Sequence, residues 1–125
     1  MILGTGFDLV DVRRFGRFID RRGERGLARL FSEAELGYCS AHADPVPFYA
    51  ARFAAKEAFY KAIGTGMGQA GGWRDVEVVR LTSGRPLLML HGRASVVAHG
   101  LQVRTIHLSL SHTGDSAGAF VIIEA

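Results

Sequence analysis

The segment VPFYAARFAAKEAFYKAI, residues 46–63, does most to limit what this chain can fold into. Wound as a helix, it spreads Phe48, Tyr49, Phe53, Phe59, Tyr60, Ile63 and a run of alanines around nearly the whole circumference. A helix that is apolar all round belongs in the interior of a domain. Gly64 supplies the stop. Four charges interrupt the pattern: Arg52, Lys56, Glu57 and Lys61. A spacing of four sets Arg52 above Lys56 on one stripe and Glu57 above Lys61 on the next. An ordinary Glu-to-Lys pair with two solvated cations on a wet side accounts for them, and so does a site built on the helix. The rest of the chain must decide.

With 125 residues, the sequence is read as one domain spanning residues 1–125. Its apolar share of 48% describes a folded protein with a real core. No apolar run approaches bilayer length, and MILGTGFDLV lacks the basic start and cleavage pattern of a signal peptide. Cys39 is the only cysteine, which excludes an internal disulfide and a multi-cysteine metal cage. The expected compartment is the cytoplasm. The net charge of +3 is unevenly placed. Arg13, Arg14, Arg17, Arg21, Arg22, Arg25 and Arg29 crowd one early segment against Asp20 and Glu24 alone, whereas later charges cancel. Such a segment suits an acidic partner.

Ile2 to Asp8 reads as a short buried strand in which Gly4 and Gly6 permit close backbone approach. Asp11 caps a helix from Val12 to about Arg22, and RRGERG breaks it. Ser32 followed by Glu35 forms a capping box that opens a short helix through Cys39. The long helix follows, from about Val46 to Ile63, and GTGMGQAGGW is a glycine-rich, mobile connection. Asp75–Thr82 and Arg85–His91 form a hairpin about Ser83-Gly84. Arg93–Leu101 is a short helix, and strands Thr105–Ser111 and Ala117–Glu124 flank a polar turn. Irregular mixing of strands and helices predicts an α+β domain: a small antiparallel sheet packed on a long central helix and shorter helices.

Several polar residues remain for chemistry. Asp8 ends an apolar strand, Glu57 and its lysines sit on the apolar helix, and His112 ends SLSH. Singly, each has an ordinary reading as a cap, a helix pair or a turn residue. Gly64-Thr65-Gly66 is not a phosphate-binding Walker loop, because the lysine precedes the glycines. Together, two carboxylates on separate elements with lysines beside one of them suit a hard divalent cation shared with phosphate oxygens. Lys56 and Lys61 then neutralise the same polyphosphate, with an arginine and a histidine nearby.

GFDLVDVRR at 6–14, FSEAE at 31–35, RFAAKEAFYKAIGTG at 52–66, DVEV at 75–78 and SLSH at 109–112 occur in that order. In this series the chain resembles the holo-acyl-carrier-protein synthases, the short bacterial phosphopantetheinyl transferases, over essentially its full length. The resemblance implies transfer of 4′-phosphopantetheine from coenzyme A to a serine of an apo acyl carrier protein, with Mg²⁺ as cofactor and adenosine 3′,5′-bisphosphate as leaving group. It implies Asp8 and Glu57 as metal ligands and Lys61 as a pyrophosphate contact. Arg52, Gly64, Thr65, Gly66 and His112 fall in blocks associated with coenzyme A phosphates. Arg13, Arg14, Arg17 and Arg21 match the surface that docks the acidic carrier. It also implies a homotrimer with active sites between subunits. Glu57 is the first choice as general base. Positions that are acidic in some relatives hold Gly37 and Thr113 here, leaving Glu35, His112 and Asp115 as weaker choices. Two other readings compete. A basic nucleic-acid-binding module leaves Glu57 unexplained, and retention of Asp8, Glu57 and Lys61 speaks against a catalytically inactive carrier-binding relative.

Overall fold

A computed structural model describes residues 1–125. Its elements run β1 (Ile2–Asp11), α1 (Val12–Leu30), α2 (Glu33–Ser40), α3 (Val46–Ile63), a 3-10 turn (Trp73–Asp75), β2 (Val76–Arg80), β3 (Pro86–Leu90), α4 (Gly92–Gly100), β4 (Thr105–His112) and β5 (Ser116–Glu124). The architecture is α+β, as the mixed pattern predicts. The strands form two antiparallel sheets instead of one: β1-β5-β4 and the hairpin β2-β3.

Glycine decides how α3 meets the sheet. A methyl group at Gly6 would lie 1.8 Å from the Ala58 carbonyl oxygen, and one at Gly4 would lie 2.2 Å from that of Ala62. The strand backbone therefore rests directly on the helix backbone, which only glycine facing a run of alanines allows. Ala54, Ala55, Ala58 and Phe59 of α3 are fully buried, and they share one core with Val76, Val121 and Ile123. A second core joins α1, α2 and the start of α3 through Phe15, Phe31, Cys39 and Tyr49. No helix is long and apolar enough to cross a membrane.

Local signals hold where chemistry is local. The Asp11 side chain accepts from the Arg14 amide, and the Ser32–Glu35 capping box is complete. Gly64 ends α3 at φ 89°, its amide donating to the Tyr60 carbonyl. Two boundaries differ from expectation. β1 runs on to Asp11, because β5 pairs with it as far as Asp11↔Ser116. The RRGERG break is a single-residue kink: Gly23 alone takes non-helical angles (φ 62°, ψ −155°), and α1 continues to Leu30.

Candidate functional site

On β1, the face that carries Gly4 and Gly6 toward α3 also carries Asp8, since side chains alternate along a strand. Asp8 is 9% exposed. The Lys61 ammonium reaches across from α3, 2.8 Å from Asp8 Oδ1 and 3.1 Å from the Phe7 carbonyl. Lys61 thus pairs with Asp8 rather than with Glu57 one turn back. Its pKa is raised, first by the Asp8 hydrogen bond. Glu57 lies close enough to feel both: its carboxyl is pushed above the usual range by burial and then by the Asp8 charge, with Lys61 opposing. Two acids against one ammonium leave net negative charge at this point. That surplus fits a divalent cation, and no group of three or more His, Cys, Asp or Glu exists to hold one by protein ligands alone. An ion held by two carboxylates would fill its remaining positions with phosphate oxygens and water.

Two concavities meet here. The first, about 350 Å³, is lined by Glu57, Tyr60, Lys61, Gly64, Gly66 and Met67, with Trp73 closing one side. The glycines, at φ 89° and 75°, keep its rim low. The second is an apolar groove of about 680 Å³ between α1 and α3, floored by Phe15, Phe18, Leu30 and Phe53 and edged by Arg14 and Arg21. It too reaches Glu57 and Trp73.

The remaining candidates are scattered. Thr65 is exposed in the turn beside the first cavity but does not line it. Arg52 is 3% exposed and faces away from Glu57, its guanidinium 4.2 Å over the Tyr38 ring and its Nε without a partner. His112, exposed at the end of β4, packs against Phe48 and lines a shallow depression with Phe7, Leu9 and Phe120. Of the arginines expected to dock a carrier, Arg14 and Arg21 edge the groove. Arg13 lies 4.0 Å from Asp115 with both side chains in solvent, and Arg17 is exposed outside the groove lining.

Lys56 corrects the sequence expectation. It is completely buried, its ammonium 2.8 Å from Glu35 Oε1 and donating to the Trp73 and Val76 carbonyls. Enclosed in this way, Lys56 neutralises no polyphosphate. Glu35 is equally spent, since its carboxylate also accepts the Ser32 and Val78 amides. It is therefore no general base. Asp115, exposed near Arg13, lines neither cavity; Asp8 also lines neither and is tied to the first through Lys61. Tyr60, Met67 and Trp73 line the first cavity without having been expected there. Tyr60 passed for core, and the one available signal was a lone tryptophan closing a glycine-rich connection.

Comparison with known proteins adds an independent line. Residues 4–117 match the family model described as the 4′-phosphopantetheinyl transferase superfamily. The chain is 52% identical over 124 residues to the holo-[acyl-carrier-protein] synthase of Koribacter versatilis, covering 99% of each. It is 47% identical to that of Geobacter sulfurreducens, covering 99% of this chain and 98% of the relative. Among solved structures, the synthase from Neisseria meningitidis superposes with a TM-score of 0.92 at 33% identity over 100% of both chains. That from Bacillus anthracis, a complex with coenzyme A (3′,5′-ADP), gives 0.82 at 32% identity over 100% of this chain and 98% of its own. By these matches over its whole length the chain belongs to the holo-[acyl-carrier-protein] synthases, enzymes of the 4′-phosphopantetheinyl transferase superfamily.

Proposed function

We propose that this chain transfers 4′-phosphopantetheine from coenzyme A to the serine hydroxyl of an acidic apo acyl carrier protein, with Mg²⁺ as cofactor. The observation that carries the reading is the cluster of Asp8, Glu57 and Lys61, in which Glu57 lines both concavities. Asp8 and Glu57 are the residues that would hold the metal, which when bound supplies charge neutralisation on the pyrophosphate.

Transfer of this kind asks the protein mainly to position the reactants and to neutralise charge. Lys61 offers its ammonium at the mouth of the smaller cavity, where it stabilises negative charge developing on the departing adenosine 3′,5′-bisphosphate. The serine oxygen forms its bond to the pantetheine-side phosphorus as the bridging P–O bond breaks. Glu57 accepts the hydroxyl proton through the carboxylate oxygen turned away from the metal. Arg14 and Arg21 beside the apolar groove attract the carrier and orient its serine toward Glu57.

The same reading places the enzyme in the cytoplasm as a homotrimer with active sites between subunits. Phe7, Leu9 and Phe120 support it: they stand 54%, 65% and 41% exposed on the outer face of the three-stranded sheet, an apolar surface suited to another copy. His112, on the same depression, would then serve a neighbour's site. The deciding experiment combines apo carrier protein, coenzyme A and Mg²⁺ and follows the carrier's mass, with EDTA as control. A gain of one phosphopantetheine that EDTA abolishes is expected; no gain in mass overturns the proposal.

A further inference from the structure

Only two residues line both concavities, Glu57 and Trp73. Glu57 is already placed in the chemistry; Trp73 is not. Its half-buried indole stands 4.9 Å from the Phe53 ring, and Phe53 stands 5.2 Å from Phe15, so an aromatic row runs from the partition down into the apolar groove.

The backbone beneath the indole is pinned with unusual care. Lys56 donates to the carbonyl of Trp73 and to that of Val76 three residues on. The Tyr60 hydroxyl donates to the Gly72 carbonyl, and the Asp75 carboxylate accepts the Gly72 amide. A fully buried ion pair and a buried tyrosine on α3 are therefore used to hold one short segment at the cavity edge. Such an arrangement limits where the indole can go while leaving it half-buried at the edge of both concavities.

Resting on the function proposed above, we infer that Trp73 is a substrate-contacting specificity residue that both reactants share. The amide- and methyl-bearing pantetheine arm packs on its cavity side, and an apolar side chain of the carrier packs on its groove side. A rigid aromatic wall is the residue type that holds amphipathic ligands at small entropic cost. Each concavity presents the indole together with Glu57, so a reactant that reaches Glu57 from either side lies beside it.

Trp73 is the only tryptophan, so its fluorescence reports this site alone. In the wild-type enzyme, coenzyme A without carrier and apo carrier without coenzyme A should each change the emission. Trp73→Ala should raise the KM for both substrates by about tenfold. Trp73→Phe, which keeps the packing on Phe53, should recover most of the loss. Arg14→Glu and Lys61→Ala set the contrast: the first should affect carrier KM alone, and the second should weaken coenzyme A. Emission indifferent to either saturating substrate, or a folded Trp73→Ala enzyme with both KM values unchanged, overturns the inference and leaves the proposed reaction standing. A wild-type enzyme that loads no carrier overturns both.

Discussion

Lys61 Nζ and Asp8 Oδ1 lie 2.8 Å apart across 53 residues of sequence, joining the long helix to the first strand one helical turn from Glu57, which lines both concavities. The ammonium is 54% exposed while the carboxylate is 11% exposed. With the lysine in water, the pair adds little to stability, about 1 kcal/mol. On the proposed function, its main effect is on transfer. Asp8→Ala should lower transfer by at least about a hundredfold, the scale seen when one preorganised electrostatic group is removed. The thermal midpoint should move only slightly. Carrier mass and a melting curve measured on the same preparation check this, and full turnover in Asp8→Ala would remove Asp8 from the site.

The Lys56–Glu35 pair is the opposite case. Both side chains are wholly buried, and each is held by further hydrogen bonds. Removing one partner leaves an uncompensated charge in the core, at a cost of about 3–5 kcal/mol. Lys56→Met should therefore shift the urea midpoint strongly. Lys56→Met combined with Glu35→Leu should cost less than the two single changes added together, because neither charge is then stranded. Strict additivity would show that the pair does not act as a unit.

How much of this was legible depended on distance along the chain. The Gly64 stop, the Asp11 cap and the Ser32–Glu35 box involve neighbours within four residues, and residue type alone announces them. Gly4 and Gly6 signalled a close approach, though not that its target was the alanine face of α3. Charge partners were harder. Spacing favoured Glu57 with Lys61, but the fold offers Lys61 a carboxylate from β1. Lys56 looked like a phosphate contact because its partner lies 21 residues away on α2. Asp8 and Glu57 each have an ordinary local reading, and only their combination with the neighbouring lysines suggested a site. Trp73 becomes meaningful only when two cavities, formed by separate elements, converge on it.

Glu77 makes the fold sensitive to acid. Its carboxylate accepts the Ser32 hydroxyl at 2.5 Å and lies 2.9 Å from His91 Nε2. The Ser32 hydrogen bond, then the contact with His91, hold its pKa below the ordinary value of 4.5 against an opposing effect of burial. A depressed folded-state pKa means that the ionised form stabilises the fold. That contribution is full above the unfolded value and disappears as pH falls through the folded one. Glu77→Gln should cost about 1–2 kcal/mol at neutral pH. The gap between variant and wild type should begin to narrow below pH 4.5 and close only once the pH has fallen through the lower folded-state value, where both carry a neutral group. Denaturation midpoints measured across that range provide the check, and a gap that persists unchanged in acid would refute the linkage.

Arginine position on α1 separates docking from mere net charge. Arg14 and Arg21 edge the apolar groove, whereas Arg13 stands outside it beside Asp115, and all three are exposed. A carrier recognised only through the overall positive field would respond alike to losing any of them. One seated in the groove would not. Arg14→Glu and Arg21→Glu should each raise the carrier KM by about tenfold while leaving that for coenzyme A unchanged, and Arg13→Glu should have a much smaller effect. Added salt should weaken carrier association in the wild type and do so less in the Arg14/Arg21 double variant, since fewer attractive charges remain to be screened. Equal effects from all three substitutions would place the carrier elsewhere on the basic face.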